Sequence, residues 1–227
     1  MSQELLNCIE LIHPKKDTVP THSVIWMHGL GANAHDFVPV PPYFRLPEAL
    51  NIRFVFPNAP SIPVTINNGY VMPAWYDLLT MDIGGVREDE TGIRKSIEDI
   101  NALIEREIER GIPSENIFLA GFSQGCAMAL ATGLRYPKKL GGVIGLSGYL
   151  PLLEQTAEER HAANQNTPIL MVHGSLDPVV QMARGEQSRD QLREWGYEVE
   201  WHDYPMQHEV CAEEIRDIND FLSAHAN

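Results

Sequence analysis

One stretch constrains this chain more than any other. Ile117 to Ala120 is a short apolar run, Gly121-Phe122-Ser123-Gln124-Gly125 is a G-x-S-x-G string, and Cys126 to Leu134 is alanine-rich and apolar on all sides. Strand, sharp turn and buried helix in that order form the setting of a nucleophile elbow. The serine occupies a strained turn, side chains on the flanking glycines would clash, and the helix N-terminus favours developing negative charge. A serine that merely capped a helix would explain Ser123 but neither glycine. The stretch therefore predicts an α/β architecture with Ser123 exposed at the end of a central strand.

The rest of the chain agrees with that architecture. Apolar runs at Leu5 to Ile12, Ser23 to His28, Ile52 to Phe56, Gly142 to Leu146, Ile169 to His173 and Tyr197 to Tyr204 read as further strands of a mostly parallel central sheet flanked by helices. Ile93, Ile97, Ile100, Ile104 and Ile108 trace the apolar stripe of an amphipathic helix that Gly111 and Pro113 stop. Cys211, Ile215, Ile218 and Leu222 trace another, which makes Cys211 a core residue. Prolines punctuate Phe37 to Trp75, a segment expected to be loop-rich and poor in long helices. No repeat or linker divides the 227 residues, so one domain, 1–227, is expected.

In an elbow fold the acid and the histidine follow the serine in chain order, at the C-terminal ends of later strands. Asp177 follows the strand Ile169 to His173, and His208 follows Tyr197 to Tyr204. The other histidines have duller settings. His202 alternates with Glu198 and Glu200 on the polar face of a strand, whereas His28 and His173 end strands before a glycine, the setting of a buried imidazole bonded to backbone. His208-Glu209 begins like the zinc motif H-E-x-x-H, but Ala212 stands where its second histidine is needed.

Gly29-Leu30-Gly31-Ala32-Asn33-Ala34 matches the loose dinucleotide fingerprint G-x-G-x-x-A. The helix and the acidic strand end that such a fold requires are replaced by the proline-rich Val38 to Pro42 and by Pro57-Asn58. A glycine loop after an early strand serves equally as an oxyanion hole, with the backbone N–H of Leu30 on one side and that of Gln124, the residue after the serine, on the other. No metal and no organic cofactor is implied.

A net charge of −14 repels phosphate backbones and anionic leaflets, so neither nucleic acid nor stable membrane insertion is expected of this chain. Three scattered cysteines and no basic, apolar leader point to the cytoplasm. Trp75, Tyr149 and Val180 are expected to line an acyl groove, and the loop-rich segment from about 58 to 90 is a candidate lid.

Together, His28-Gly-Leu-Gly31, Trp75-Tyr-Asp77, Gly121-Phe-Ser-Gln-Gly125, Leu146-Ser-Gly148, His173-Gly174 with Asp177-Pro-Val-Val180, and Pro205-Met-Gln-His208 make the chain similar to the acyl-protein thioesterase and bacterial carboxylesterase family over nearly its full length. The resemblance implies an α/β-hydrolase without a large cap domain, with Ser123 as nucleophile, His208 as base, Asp177 as its orienter and Leu30 and Gln124 as the oxyanion hole. It implies a small-molecule ester or thioester substrate and points to a homodimer. Cys126 stands where many relatives continue with glycine, and the loop Ala32 to Phe37 is more similar to the bacterial carboxylesterases than to the depalmitoylating eukaryotic members. The resulting expectation is a serine carboxylesterase for short to medium acyl chains. Its rivals are an acyl-protein thioesterase or lysophospholipase acting on long chains, and a ligand-binding protein on a hydrolase scaffold.

Overall fold

The computed structural model describes residues 5–14, 17–80 and 88–226. Its frame is a seven-stranded sheet, β1 (Cys8–His13), β2 (His22–Met27), β3 (Ile52–Pro57), β6 (Ile117–Phe122), β7 (Gly142–Leu146), β8 (Ile169–Gly174) and β9 (Val199–Tyr204). The spatial order is β1-β3-β2-β6-β7-β8-β9. Only β1 runs antiparallel, paired from Cys8 with Pro57 to His13 with Ile52. The other strands pair in parallel, which places β6 in the middle and aims the C-terminal ends of β6, β8 and β9 at one edge of the sheet.

A parallel sheet covered on both faces needs strands that are apolar on both faces. β2, β3 and β8 are buried along their whole length, yet their residues still alternate between two cores. Ile25, Met27, Val55, Ile117 and Leu119 enter one, with α1 (Glu90–Glu109), α2 (Gln124–Arg135), α3 (Leu153–Glu159) and α4 (Met182–Glu194) contributing to it. Val24, Trp26, Phe54, Phe56 and Phe118 enter the other, which α5 (Ala212–His225) and the segment from Ala34 to Leu50 close. That second core is built on aromatic contacts, with Trp26 stacked on Phe37 at a centroid distance of 5.0 Å.

The isoleucine stripe of α1 is present as expected: Ile93, Ile100 and Ile104 are fully buried. Asp89 caps the helix by accepting from Gly92 N–H at 2.9 Å, and Gly111, at φ +94°, turns the chain away at its end. A buried ion pair between Arg53 on β3 and Glu107 on α1, 2.7 Å long, ties that helix to the sheet.

The sequence does not delimit four elements. β4 (Ser61–Val64) and β5 (Tyr70–Pro73) form an antiparallel hairpin inside the proline-rich segment, with Pro63 and Pro73 tolerated because each strand has only one sheet neighbour. α3 is only seven residues long. α4 buries Gly185, Ser188 and Leu192, a face with a single large apolar side chain, so hydrophobic periodicity does not reveal it. Cys211 is corrected: it precedes α5 as a half-buried N-cap, and Phe221 joins Ile218 and Leu222 in the core instead. Of the candidate lid, residues 58–80 hold the hairpin and a loop, whereas 81–87 lie outside the described residues. No large cap domain stands among the described residues, and no helix among them is long and apolar enough to cross a membrane.

Because Ile100 is fully buried in the core that α1 shares with α2, Ile100→Ala should leave a cavity costing about 2–5 kcal/mol. Urea unfolding followed by far-UV circular dichroism checks this as a lowered midpoint at unchanged slope.

Candidate active site

The site begins with a crowded backbone crossing. β6 ends at Phe122, Ser123 takes φ +56° and ψ −118°, and α2 starts at Gln124. A Cβ on Gly121 would lie 2.1 Å from the carbonyl oxygen of Gly125, and one on Gly125 would lie 2.3 Å from that of Met27. Both glycines are therefore sterically required, and they let α2 sit directly against the strands. Ser123 N–H donates to Leu146 O at 2.8 Å, which holds the strained residue in its conformation.

The structure brings Ser123, His208 and Asp177 together from three strand ends. His208 Nε2 lies 2.9 Å from Ser123 Oγ, and His208 Nδ1 lies 2.6 Å from Asp177 Oδ2. The Asp177 side chain is fully buried, and its other oxygen, Oδ1, accepts from the N–H groups of Val179 (2.8 Å) and Val180 (2.9 Å). The turn after β8 thus fixes the carboxylate so that Oδ2 faces the imidazole. The ring of Phe122 packs against that of His208 at 4.7 Å.

His28 and His173 have the structural settings expected of them. His28 Nε2 accepts from Ala59 N–H at 3.1 Å, so Nδ1 carries the proton given to Gly29 O at 2.7 Å. His173 is bonded through Nε2 to Val180 O at 2.8 Å. Burial holds the pKa of both below the ordinary histidine value, keeping both rings neutral. His202, on β9, is bonded to Glu200 at 2.8 Å. Burial pushes the Cys126 thiol far up, so the cysteine beside the elbow is inert.

Leu30 and Gln124 line the same cleft as Ser123 and His208. Gly31, at φ +75°, donates its N–H to Pro73 O at 2.8 Å, which ties the glycine loop to the end of β5. The Gln124 side chain accepts from Trp75 N–H and donates to Tyr76 O, both at 2.8 Å, and so clamps the segment after β5 onto the elbow.

Tyr149 and Val180 line the cleft as expected, but Trp75 does not. Its indole is 2% exposed and turned inward, where Nε1–H donates to His28 O at 2.8 Å. The next residue, Tyr76, takes its place on the wall with Leu78 and Arg184. Tyr76 lies within the Trp75-Tyr-Asp77 motif and Leu78 directly follows it, whereas nothing in the sequence singles out Arg184. Arg184 sits in the first turn of α4, the helix that sequence periodicity does not delimit. The cleft holds a cavity of about 230 Å³ behind an open mouth, room for a small ligand.

Residues 7–226 match the profile of the phospholipase/carboxylesterase family. The chain is 43% identical over 211 residues to acyl-protein thioesterase 1 of Neurospora crassa, covering 89% of this chain and 86% of that one. Among solved structures it resembles Arabidopsis thaliana SOBER1, with a TM-score of 0.86, 33% identity and coverage of 91% of this chain and 99% of that one. It also resembles esterase PE8, with a TM-score of 0.82, 26% identity and coverage of 98% of this chain and all of that one.

Gly125→Ala should displace α2 or fail to fold, because the added methyl meets the backbone of β2 rather than a movable side chain. The expected result is at least a hundredfold fall in esterase activity together with a lower melting temperature, read by nitrophenyl acetate turnover and calorimetry.

Proposed function

The chain belongs to the phospholipase/carboxylesterase family and is a serine hydrolase acting on carboxylic esters or thioesters, and on that footing we propose that Ser123, His208 and Asp177 carry the reaction by two-step acyl transfer. The observation that supports this reading is the continuous hydrogen-bonded line from Asp177 Oδ2 through both His208 nitrogens to Ser123 Oγ, 2.6 and 2.9 Å. His208 Nε2 takes the hydroxyl proton as Ser123 Oγ attacks the carbonyl carbon. The backbone N–H groups of Leu30 and Gln124 bind the resulting oxyanion, worth about 3 kcal/mol for each well-aimed donor. His208 then gives its proton to the departing alcohol or thiol, leaving an acyl-serine. Water attacks that ester in turn, with His208 again as base, and the acid is released. Asp177 remains ionised throughout, holding the imidazole in the tautomer that presents Nε2 to the serine.

The lining of the cleft supports a reading of the substrate class. Tyr76, Leu78, Tyr149 and Val180 give it an apolar wall, and it lies open without a cap over it among the described residues. Short to medium acyl chains on dissolved esters fit such a wall. The −14 net charge disfavours work at an anionic membrane surface. Long-chain thioester hydrolysis is the second reading, favoured by the 43% identity to a relative named acyl-protein thioesterase 1.

Ser123→Ala and His208→Ala should each cut kcat by at least about a thousandfold, while Cys126→Ala retains most activity; an active Ser123→Ala variant would overturn the mechanism. For p-nitrophenyl esters from acetate to palmitate, kcat/KM should climb about fourfold per methylene, the equivalent of about 0.8 kcal/mol of transfer free energy, and level off at roughly four to eight carbons. A climb continuing to palmitate selects the long-chain reading.

A further inference from the structure

The side chain least explained by simple ester hydrolysis is Arg184. It lies half-buried on the cleft wall with Leu78, Tyr149 and Val180, in the first turn of α4. Its guanidinium sits over the Tyr149 ring, 3.6 Å from the centroid. One face of the planar group is thereby covered, while its N–H donors lie along the edge. Its backbone is fixed as well: Arg184 N–H donates to Gln181 O at 2.9 Å, and Arg184 O accepts from Ser188 Oγ at 2.9 Å.

Among the described residues, no carboxylate forms an ion pair with this guanidinium and no acceptor takes its N–H groups. Glu88 is the acid whose field reaches it, and that carboxylate is already engaged with Leu152 N–H at 2.7 Å. Burial raises the Glu88 pKa, opposed by the Leu152 N–H and by the charge of Arg184, with no hydrogen bond between the Glu88 and Arg184 side chains.

A cation set in an apolar wall is costly beside a purely aliphatic acyl chain. The chain would strip water from the guanidinium and return no hydrogen bond. A carboxylate at the far end of the acyl chain reverses that balance, because guanidinium and carboxylate meet in two parallel, charge-assisted hydrogen bonds. We propose that Arg184 determines specificity by receiving the terminal carboxylate of the acyl group, so that the preferred substrates are half-esters or half-thioesters of dicarboxylic acids. This inference rests on the esterase reading of Ser123 and adds the substrate's second functional group to it.

The test compares mono-4-nitrophenyl esters of adipic and pimelic acid with chain-matched neutral 4-nitrophenyl esters, on wild type, Arg184→Leu and Arg184→Lys. A pair with the charge on the other side of the bond, 4-carboxyphenyl hexanoate against phenyl hexanoate, locates the anion. The expected result is that Arg184→Leu lowers the acyl-carboxylate to neutral ratio of kcat/KM at least tenfold. Arg184→Lys should fall between the two, since it keeps the charge without the planar fork. The alcohol-side pair should not respond. Each variant's neutral ester serves as its own control for folding and for an intact triad. Hydrolysis of both acyl classes with an unchanged ratio overturns the inference alone. A ratio that moves only in the alcohol-side pair overturns the acyl assignment, and a wild-type protein that cleaves no ester at all removes the esterase reading and this inference with it.

Discussion

The structure depends on how closely one helix approaches one sheet. α2 packs with the Gly125 Cα against the backbone of β2, and the chain enters it through a residue at φ +56°. Nothing but hydrogen fits at Gly121 or Gly125, and no ordinary turn connects β6 to α2 at that spacing. The strain at Ser123 is offset by Leu146 O on one neighbouring strand and by the buried, alanine-rich body of α2 behind it. Because β6 is central, the strands that carry Gly174 and Tyr204 are placed relative to it by parallel pairing alone. Sheet register thus sets where the strand ends stand, and the loops after β8 and β9 carry Asp177 and His208 from there to Ser123.

Two further histidines near the cleft are bonded to backbone carbonyls and not to Ser123. His28 and His173 stand at the ends of β2 and β8, His28 bonded to backbone through both ring nitrogens and His173 through Nε2. Their burial lowers proton affinity, so neither brings a charge next to the pair His208 and Asp177. Trp75 belongs to the same support: its indole N–H closes on His28 O, and its backbone N–H on Gln124. Its side chain shapes the cleft from beneath, without touching the contents.

How much of this was legible beforehand follows from which residues carry a local signal. The elbow, the seven sheet strands, α1 and the pairing of Asp177 with His208 by chain order could all be read, because glycine spacing, β-branched runs and isoleucine periodicity are local properties. α4 could not be delimited, since of its buried residues Gly185, Ser188 and Leu192 only one is large and apolar, and Gly185 is covered by His173 and Trp201 from elsewhere in the chain. Trp75 was misplaced because a large aromatic near a cleft reads as lining, and only the fold shows that residues 75 and 76 exchange roles. Cys211 fits the spacing of a helical stripe, but the helix itself begins one residue later and its apolar stripe at Ile215. Arg184 was invisible for the same reason as α4: what makes it notable is a ring beneath it and the lack of an acid beside it, neither of which is a sequence property.

The three side chains that meet at Ser123 Oγ are gathered across 85 residues of chain, and the last of them arrives on the loop after β9. A polypeptide emerging from the ribosome has its serine long before it has its imidazole. On the acyl-transfer reading proposed above, the Ser123 hydroxyl meets its base only once β9 has docked on β8, so the line from Asp177 to Ser123 reports on completion of the sheet.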